Sequence, residues 1–572
     1  MKLKTVIYCS ILAVTLSFSA NGQALADVGS ESRTDQIVMH VDKTSYMPGE
    51  IVWFKAYNVT RSHVAYVELI GPDQKSVLRA KIALGSEHSN SGSLYLPANL
   101  SSGEYNLLAY TAAMKGVGVH VFYNQKIAVL NPYLPVDDNV VTASLLFMDH
   151  QVYFPKEGLD IDATIKEAVV GHRQKVNLSV STSENGLTAP SDLSISVFKV
   201  DEWQPEPKDS AIPIPYVGSK VRNEIDADML LEQRYHQVAF SMNDRSTKQP
   251  LVNRDVFLSV PGKQTRLYTG TTDAEGKVRF YVKEIFGINP MAIRLEDGSE
   301  SDVELISPFY SGYNQFDVSG VQANDVSYNQ EQREIITERS MNVQAENSYF
   351  AKERAEFIVP RIDSLPFFGE SARVYHLDDY TRFVLMEEVL REYVTEVRLT
   401  KRGSNYRFRV LDNGYGQFFN ESPLIMIDGV PISSEDDIIA FDPLKIEKIS
   451  IITRRYYLGN NVYEGVINFS TYDGDLAGFP LDNSITLIDY EGFQLDRQFF
   501  SPIHDGNEKR WERMPDTRNL LYWNSSVKVG QDTAANLSFY TSDVEGDYVV
   551  VINGQSESGK LGSTVLKFSV RE

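Results

Sequence analysis

The chain is poor in cysteine, and this limits the chemistry open to it. The single cysteine among 572 residues is Cys9. It lies in a stretch that begins with Lys2 and Lys4, continues as an apolar run over residues 6–18 and ends at Ala24-Leu25-Ala26. This pattern is typical of a cleaved secretory signal peptide, so we expect the exported chain to contain no cysteine. Disulfides, zinc–thiolate sites and thiol nucleophiles are therefore excluded.

Long apolar runs and positive charge are also scarce. No segment after the signal peptide contains about 18 uncharged apolar residues in a row, so we expect no transmembrane helix there. Lysine and arginine total 55 against 77 aspartates and glutamates, which gives a formal net charge of −22. Because binding to a phosphate backbone requires a basic surface, this balance argues against nucleic acid as the main partner.

Catalytic and metal-binding motifs are absent as well. The nine histidines are His40, His63, His88, His120, His150, His172, His236, His376 and His504. No two of them have the spacing of metal ligands on a helix, and there is no Gly-x-Ser-x-Gly motif or P-loop. Ser525 and Lys528 satisfy Ser-x-x-Lys by chance, because the companion motifs are missing. We predict no enzyme activity, no cofactor, and no catalytic, cofactor-binding or metal-binding residues.

Aromatic content and alternation favour β-structure. The chain has 31 tyrosines and 28 phenylalanines, which are residue types that favour strands. Apolar and polar residues alternate with period two at 51–57, 176–180, 193–197 and 256–260, and turn-forming residues separate such segments. The predicted fold class is mainly β, with tandem β-sandwiches and one small α/β domain.

Three segments interrupt the strand pattern. Residues 329–347 are rich in Gln, Glu and Arg and are predicted to form a helix that bridges domains. Residues 379–396 are predicted to form an amphipathic helix, with four apolar residues on one face: Phe383, Met386, Leu390 and Tyr393. The proline-rich segment from Asp201 to Asp228 is predicted to be an exposed connection, with a protease-sensitive segment as the alternative.

The motif from His40 to Tyr57 carries the first resemblance to a known family. Met47-Pro48-Gly49-Glu50 is predicted to form a turn, and the following strand alternates Val52, Phe54 and Ala56 with Trp53, Lys55 and Tyr57. Residues 34–132 resemble the second macroglobulin-like domain of the α2-macroglobulin and complement family. The resemblance implies a structural β-sandwich. The family's Cys-Gly-Glu-Gln thioester is absent, so covalent protease trapping is excluded.

A second resemblance lies near the other end of the chain. Leu424-Ile425-Met426-Ile427-Asp428-Gly429 is predicted to be a buried strand running into a turn, and Asp442-Pro443 is predicted to start a helical turn. Residues 375–474 look like the plug domain of TonB-dependent outer-membrane receptors. Only 98 residues follow Gly474, whereas 22 strands of about 10 residues would need roughly 220. We therefore expect a plug-like domain without a barrel, which would serve in protein binding or oligomerisation and not in transport.

The predicted domains follow from these segments. They are a signal peptide (1–26), a macroglobulin-like β-sandwich (33–132), a second β-sandwich (140–204), a third β-sandwich (229–310), a helical linker (325–350), a plug-like α/β domain (375–475) and a C-terminal β-sandwich (480–572). The sandwiches are expected to be macroglobulin- or immunoglobulin-like. The combination resembles exported proteins of Bacteroidota.

The predicted function is non-enzymatic binding or scaffolding in the cell envelope. The plug-like and macroglobulin-like domains would engage an envelope or outer-membrane protein, in the periplasm or at the cell surface. Two alternatives are a thioester-independent endopeptidase inhibitor and an accessory component of a TonB-dependent uptake system. The sequence leaves the partner, the side of the outer membrane and the oligomeric state open.

Overall fold

The computed structural model describes most of the chain after residue 34. The described residues are 35–57, 62–134, 141–142, 158–201, 203–207, 232, 235–313, 326–327, 330–360, 365–507, 513–531 and 533–572. The predicted signal peptide and most of the 201–228 segment lie outside these ranges. Within them the fold is mainly β, as predicted, and no helix is both long and apolar enough to cross a membrane.

The first sandwich is formed by residues 35–134. Its elements are β1 (Val38–Val41), β2 (Ser45–Tyr46), β3 (Ile51–Tyr57), β4 (Val64–Ile70), β5 (Ser76–Ala83), β6 (Ser91–Tyr95), β7 (Gly103–Tyr110), α1 (Ala112–Val117) and β8 (Tyr123–Val129). The two sheets have the orders β1-β3-β6 and β2-β8-β7-β4-β5. Val52, Phe54 and Ala56 of β3 point into the core between them. Gly49 has a φ of 93°, which suits glycine in the turn before β3.

The next segment supplies strands that do not close a sandwich on their own. They are β9 (Val141–Thr142), β10 (Asp160–Ile165), β11 (Val169–Val170), β12 (Lys175–Glu184), β13 (Leu187–Thr188) and β14 (Ser191–Val200). β12 pairs with β10 and β13, whereas β14 pairs with none of the strands in this segment. Leu193, Ile195 and Val197 of β14 are fully buried, so their partners must come from elsewhere in the chain.

A third group of strands forms two further sheets. They are β15 (His236–Asp244), β16 (Asp255–Val260), β17 (Arg266–Thr271), β18 (Lys277–Val282), β19 (Ile288–Leu295) and β20 (Ser301–Ile306). β15 pairs with β18 and β20, and β16 pairs with β17 and β19. Phe240, Leu258 and Phe280 lie in the core between the two sheets.

The predicted helical linker is a helix that packs on the first sandwich. The elements here are β21 (Val326–Ser327), α2 (Gln330–Tyr349), α3 (Ala351–Arg354) and β22 (Phe357–Ile358). Ile336 and Val343 of α2 pack with Met47 of the first sandwich. Asn347 also donates a hydrogen bond from Nδ2 to the carbonyl oxygen of Gly49 at 2.8 Å. β21 pairs in parallel with β9.

Residues 373–471 form an α/β unit. Its elements are β23 (Arg373–His376), α4 (Met386–Glu392), β24 (Val397–Arg402), β25 (Asn405–Asp412), β26 (Gln417–Phe418), β27 (Leu424–Ile427), β28 (Val430–Pro431), α5 (Glu435–Ala440), β29 (Ile446–Ile452), β30 (Tyr456–Leu458), β31 (Asn461–Tyr463) and β32 (Val466–Thr471). A mixed sheet, β23-β29-β32-β27-β28, carries the unit, and β24-β25-β26 forms a second sheet. α4 is shorter than the predicted helix over 379–396, because residues 380–385 and 393–396 are not helical. Phe383 still packs against the core that contains Met386 and Leu390.

The C-terminal strands complete two earlier sandwiches. They are β33 (Thr486–Glu491), β34 (Asp496–Arg497), β35 (Leu520–Val529), β36 (Ala535–Tyr540), β37 (Gly546–Ser556) and β38 (Leu561–Val570). β33 pairs with β19 and so joins the third sandwich, and β34 pairs with β22. β36 pairs with β12, and β14 lies between β35 and β37.

The structure therefore differs from the predicted division into separate sandwiches at 140–204 and 480–572. One sheet has the order β11-β38-β37-β14-β35, and β10, β12, β13 and β36 form the other. Ile195 and Ile552 are register partners within the shared core. We call this unit the composite sandwich. Period-two alternation shows which face of a strand is buried, but it does not show which distant strand lies beside it.

Candidate binding groove

The outer face of β3 is covered by the composite sandwich. Trp53, Lys55 and Tyr57 alternate with the core residues of β3, so their side chains point away from the first sandwich. They are nevertheless 6%, 1% and 4% exposed. β3 is therefore buried on both faces, which explains why aromatic residues occur on the side that alternation alone would assign to solvent.

Polar contacts lock the two sandwiches together. Tyr57 donates from its hydroxyl to Ser194 Oγ at 2.6 Å and to the carbonyl oxygen of Asn553 at 3.1 Å. Lys55 forms an ion pair with Asp192 at 2.7 Å. We call this contact region the seam. It comprises His40, Lys55 and Tyr57 of the first sandwich and Asp192, Ser194, Ser196 and Asn553 of the composite sandwich.

The seam contains a histidine–serine contact that is structural. His40 lies within hydrogen-bond distance of two hydroxyls, with Nδ1 2.6 Å from Ser194 Oγ and Nε2 3.3 Å from Ser196 Oγ. A serine beside a histidine is the arrangement of an activated nucleophile. All three side chains, however, are fully buried, so no substrate reaches them. Burial, assisted by the nearby Lys55 charge, lowers the pKa of His40 to about 3, so the imidazole is neutral.

A groove opens beside the seam. Its volume is about 610 Å³, and it lies between the first sandwich, the composite sandwich and residues 497–505. Trp53 lines it from β3, two residues before Lys55 of the seam. The aromatic contacts in its walls include Trp53 with Phe499, at a ring separation of 5.6 Å, and Tyr522 with Phe539, at 5.8 Å. We refer to this cavity as the groove.

The chain segment that forms one wall of the groove is held by a buried ionic cluster. Arg518 donates to both carboxylate oxygens of Asp516 at 2.7 Å, and it also donates to Ser501 Oγ at 2.9 Å. His504 Nε2 lies 2.9 Å from Asp516 Oδ2. Burial raises the pKa of Asp516, but Arg518 and His504 outweigh it and hold that pKa well below its usual range. The carboxylate therefore stays ionised and fixes this wall.

Two edge strands border the groove. Among the described strands β35 pairs only with β14, and β36 pairs only with β12. Both strands line the groove, β35 through residues 522–525 and β36 through residues 538–540. An edge strand presents backbone donors and acceptors that a further strand can use. Ile358 and Ile503 also line the groove and are 56% and 55% exposed, so it is apolar where it meets solvent.

The sequence did not reveal the groove or every histidine contact. The histidines were predicted to be scattered, whereas the structure brings His63 and His88 together beside Glu284. Ser525 and Lys528 lie on β35, and Lys528 forms an ion pair with Asp192 at 3.0 Å. Lys528 therefore contacts a carboxylate on the neighbouring strand β14. A period-two strand pattern gives no information about a cavity formed by residues hundreds of positions apart.

Comparison with known proteins finds only distant structural similarity. No protein-family model matches the chain, and no curated protein sequence matches it. Native Escherichia coli alpha-2-macroglobulin aligns with 95% of this chain and 40% of its own, at 11% identity and a TM-score of 0.23. The elastase-activated form aligns over 94% and 43%, at 9% identity and a TM-score of 0.22. The Yersinia pseudotuberculosis adhesin InvE aligns over 48% and 60%, at 12% identity and a TM-score of 0.11.

The aligned chains share little sequence and little overall arrangement with this protein. The chain spans about two fifths of the length of the macroglobulin chains. TM-scores this low do not establish a shared arrangement of domains, so they support no functional argument. The macroglobulin-like and plug-like resemblances remain predictions from sequence, and the established result is a mainly β protein with a composite sandwich.

Proposed function

We propose that the protein is a non-enzymatic binding or scaffold protein of the bacterial cell envelope, and that the groove accepts an extended segment of a protein partner. One observation carries the proposal: two edge strands, β35 and β36, border a cavity with aromatic walls. Extended peptides commonly bind by adding a strand to such an edge, while side-chain pockets provide specificity. Location in the envelope rests on the predicted signal peptide.

The chemistry of the groove suits a polypeptide. Its volume of about 610 Å³ is large enough for several side chains, and aromatic rings such as Tyr522 and Phe539 supply apolar contact area. Ser91, Asn524 and Ser538 add hydrogen-bonding groups along its length. The seam beside it fixes the separation of the two sandwiches, so the groove is preformed and binding orders little of this protein.

The lining residues do not form a catalytic set. The charged side chains that line the groove in the described part of the chain are Lys175, Arg497 and Asp505. The nearby imidazole of His504 is 3% exposed and bound to Asp516. The described hydrogen bonds of Arg497 and Asp505 go to the carbonyl oxygen of Arg354 and to Asn507, and not to a serine hydroxyl of the groove, so binding is the function that this geometry supports.

Affinity capture from cell envelopes tests the proposal. The exported chain would be compared with Ile503→Arg, which places a charge in the groove, and with Leu187→Arg. Leu187 is 76% exposed on β13 of the same sandwich and is absent from the groove lining. We expect one reproducible envelope protein to be captured by the original chain and by Leu187→Arg, and at least tenfold less by Ile503→Arg. Equal capture by all three proteins, or capture of nothing above background, would refute the proposal.

A further inference from the structure

Two histidines and one glutamate from distant parts of the chain converge on a single point. Nε2 of His88 lies 2.7 Å from Oε1 of Glu284, and Nε2 of His63 lies 3.5 Å from the same oxygen. The two imidazole centroids are 5.9 Å apart at an interplanar angle of 79°. One ligand atom from each residue lies within 4.8 Å of the other two. The three side chains are separate from the seam and from the groove lining.

We propose that His63, His88 and Glu284 form a binding site for a divalent transition-metal ion of the Zn²⁺ class. Two imidazole nitrogens and a carboxylate oxygen are a ligand set that zinc accepts, with a fourth position left for water. Tetrahedral ligands at about 2.0 Å from zinc lie roughly 3.3 Å from one another. The observed separations of 2.7 and 3.5 Å from Glu284 lie on either side of that value. The ligand atoms of all three residues lie within 4.8 Å of one another, so adjustment of the side chains brings them to coordinating distance.

The backbone holds the two histidines in place. His63 immediately precedes β4; its N–H donates to the carbonyl oxygen of Glu232 at 2.9 Å, and its own carbonyl accepts from Leu84 N at 2.9 Å. His88 lies in the turn between β5 and β6, where its N–H donates to the carbonyl oxygen of Gly85 at 3.3 Å. The ligands are thus presented from anchored positions, which reduces the entropy lost on metal binding.

The site is accessible to an ion. The side chains of His63, His88 and Glu284 are 31%, 15% and 34% exposed. A cavity of about 300 Å³ is lined by His63 and Glu284 together with residues such as Tyr268 and Phe493. The partial burial limits competition from water, and the cavity leaves room for a water molecule as the fourth ligand.

The cluster of His63, His88 and Glu284 differs from an ordinary histidine–glutamate ion pair. His172 and Glu545 form such a pair at 3.5 Å elsewhere in the chain, with one imidazole and one carboxylate. At the proposed site a second imidazole approaches the same carboxylate oxygen, so two nitrogen donors and one oxygen donor converge on a single point. A metal ion can use all three as ligands, whereas an ion pair uses one imidazole and one carboxylate.

The position of the site gives metal binding a structural consequence. His63 and His88 belong to the first sandwich, whereas Glu284 follows β18 of the third sandwich. An ion shared by all three residues joins the two sandwiches. Because the metal binds the folded state, it should raise the unfolding temperature.

Calorimetric titration with Zn²⁺ tests the site. The exported chain, made without a histidine tag and stripped with EDTA, should bind one zinc ion per molecule and gain thermal stability. His88→Ala and Glu284→Gln should each weaken zinc binding at least tenfold, and the matched control His172→Ala should leave it unchanged. Mg²⁺ at the same concentration should give no stabilisation, because it prefers oxygen ligands.

Two further measurements separate zinc binding from the stability of the fold and from the groove. The variants should unfold at the temperature of the original chain in EDTA, which separates loss of a ligand from loss of the fold. Ile503→Arg should keep full zinc binding, so the result does not depend on the groove. Absence of zinc binding to the original chain, or an equal loss in His172→Ala and His88→Ala, would overturn the proposal.

Discussion

The first and composite sandwiches meet in two adjoining regions of opposite character. In the seam, Lys55 and Tyr57 of β3 are buried against Asp192 and Ser194 of β14. In the groove, Trp53 of the same strand faces a cavity of about 610 Å³. The outward face of β3 therefore passes from the seam at Tyr57 and Lys55 to the wall of a cavity at Trp53, two residues before Lys55.

The difference between the seam and the groove indicates which region stabilises the fold and which region binds a partner. A buried hydroxyl or charge in the seam has lost its water, so removal of its partner leaves a polar group unpaired at a cost of about 1–3 kcal/mol. Apolar side chains at the mouth of the groove remain partly in water, and their replacement costs little. We therefore expect substitutions in the seam to change stability, and substitutions in the groove to change binding.

The largest expected effect on stability comes from a charge placed in the core of the composite sandwich. Ile552→Asp places a carboxylate opposite Ile195 in the core of the composite sandwich, and we expect it to lower the free energy of unfolding by more than about 3 kcal/mol. Hydrogen exchange should then lose protection in residues 158–200 as well as in 520–570. Retained protection in 158–200 would show that this segment folds separately, and the composite sandwich would be wrong.

A pair of tyrosine substitutions compares the two regions directly. Tyr57→Phe removes the hydroxyl that donates to Ser194 and Asn553, and we expect a loss of about 2 kcal/mol in urea unfolding. Tyr522→Phe removes a groove hydroxyl that accepts from Asn524 at 3.1 Å in a partly exposed position, and the loss should stay below about 0.5 kcal/mol. Equal losses would remove the distinction between seam and groove.

The seam should also make stability depend on pH. The folded-state pKa of His40, about 3, lies below its unfolded value of 6.5. Its contribution is therefore fully present above the unfolded pKa and is lost as the pH falls through the interval between the two values. Relative to His40→Gln, the original chain should lose about 1 kcal/mol between pH 7 and pH 5.5. If the free energy of unfolding depended on pH in the same way in both proteins, this would contradict a neutral, buried His40.

The smallest expected effect on stability belongs to the groove mouth. Ile503→Arg should change the free energy of unfolding by less than about 0.5 kcal/mol, because the side chain is 55% exposed. This change is measured by thermal unfolding of Ile503→Arg, with Leu187→Arg as the control. A loss as large as that of Tyr57→Phe would mean that the groove mouth is part of the packed core, and reduced capture by Ile503→Arg would then have a structural cause.

Local patterns predicted local structure well. The alternation in β3 identified Val52, Phe54 and Ala56 as core residues, and the 329–347 segment forms most of α2. The same patterns could not show that Trp53, Lys55 and Tyr57 are covered, because covering depends on a second domain. Phe383 fits a helical spacing but lies before α4. Its side chain packs on the same core from backbone that is not helical.

Long-range pairing was the main feature that the sequence could not predict. Ile195 and Ile552 lie 357 positions apart and become register partners. His63, His88 and Glu284 come together because the first and third sandwiches touch, and nothing in their spacing indicates that contact. The alternation along a strand shows which of its faces is buried, whereas the contacts between sandwiches depend on tertiary packing.

Site-specific photo-crosslinking at the groove tests the central claim most directly. A benzophenone side chain would replace Tyr522 in the groove or Leu187 on β13, and irradiation would be carried out in intact envelopes. We predict that position 522 crosslinks to one partner, at residues that map to a single extended segment, and that position 187 does not. Equal crosslinking from both positions, or none from position 522, would contradict the assignment of the groove as the binding site.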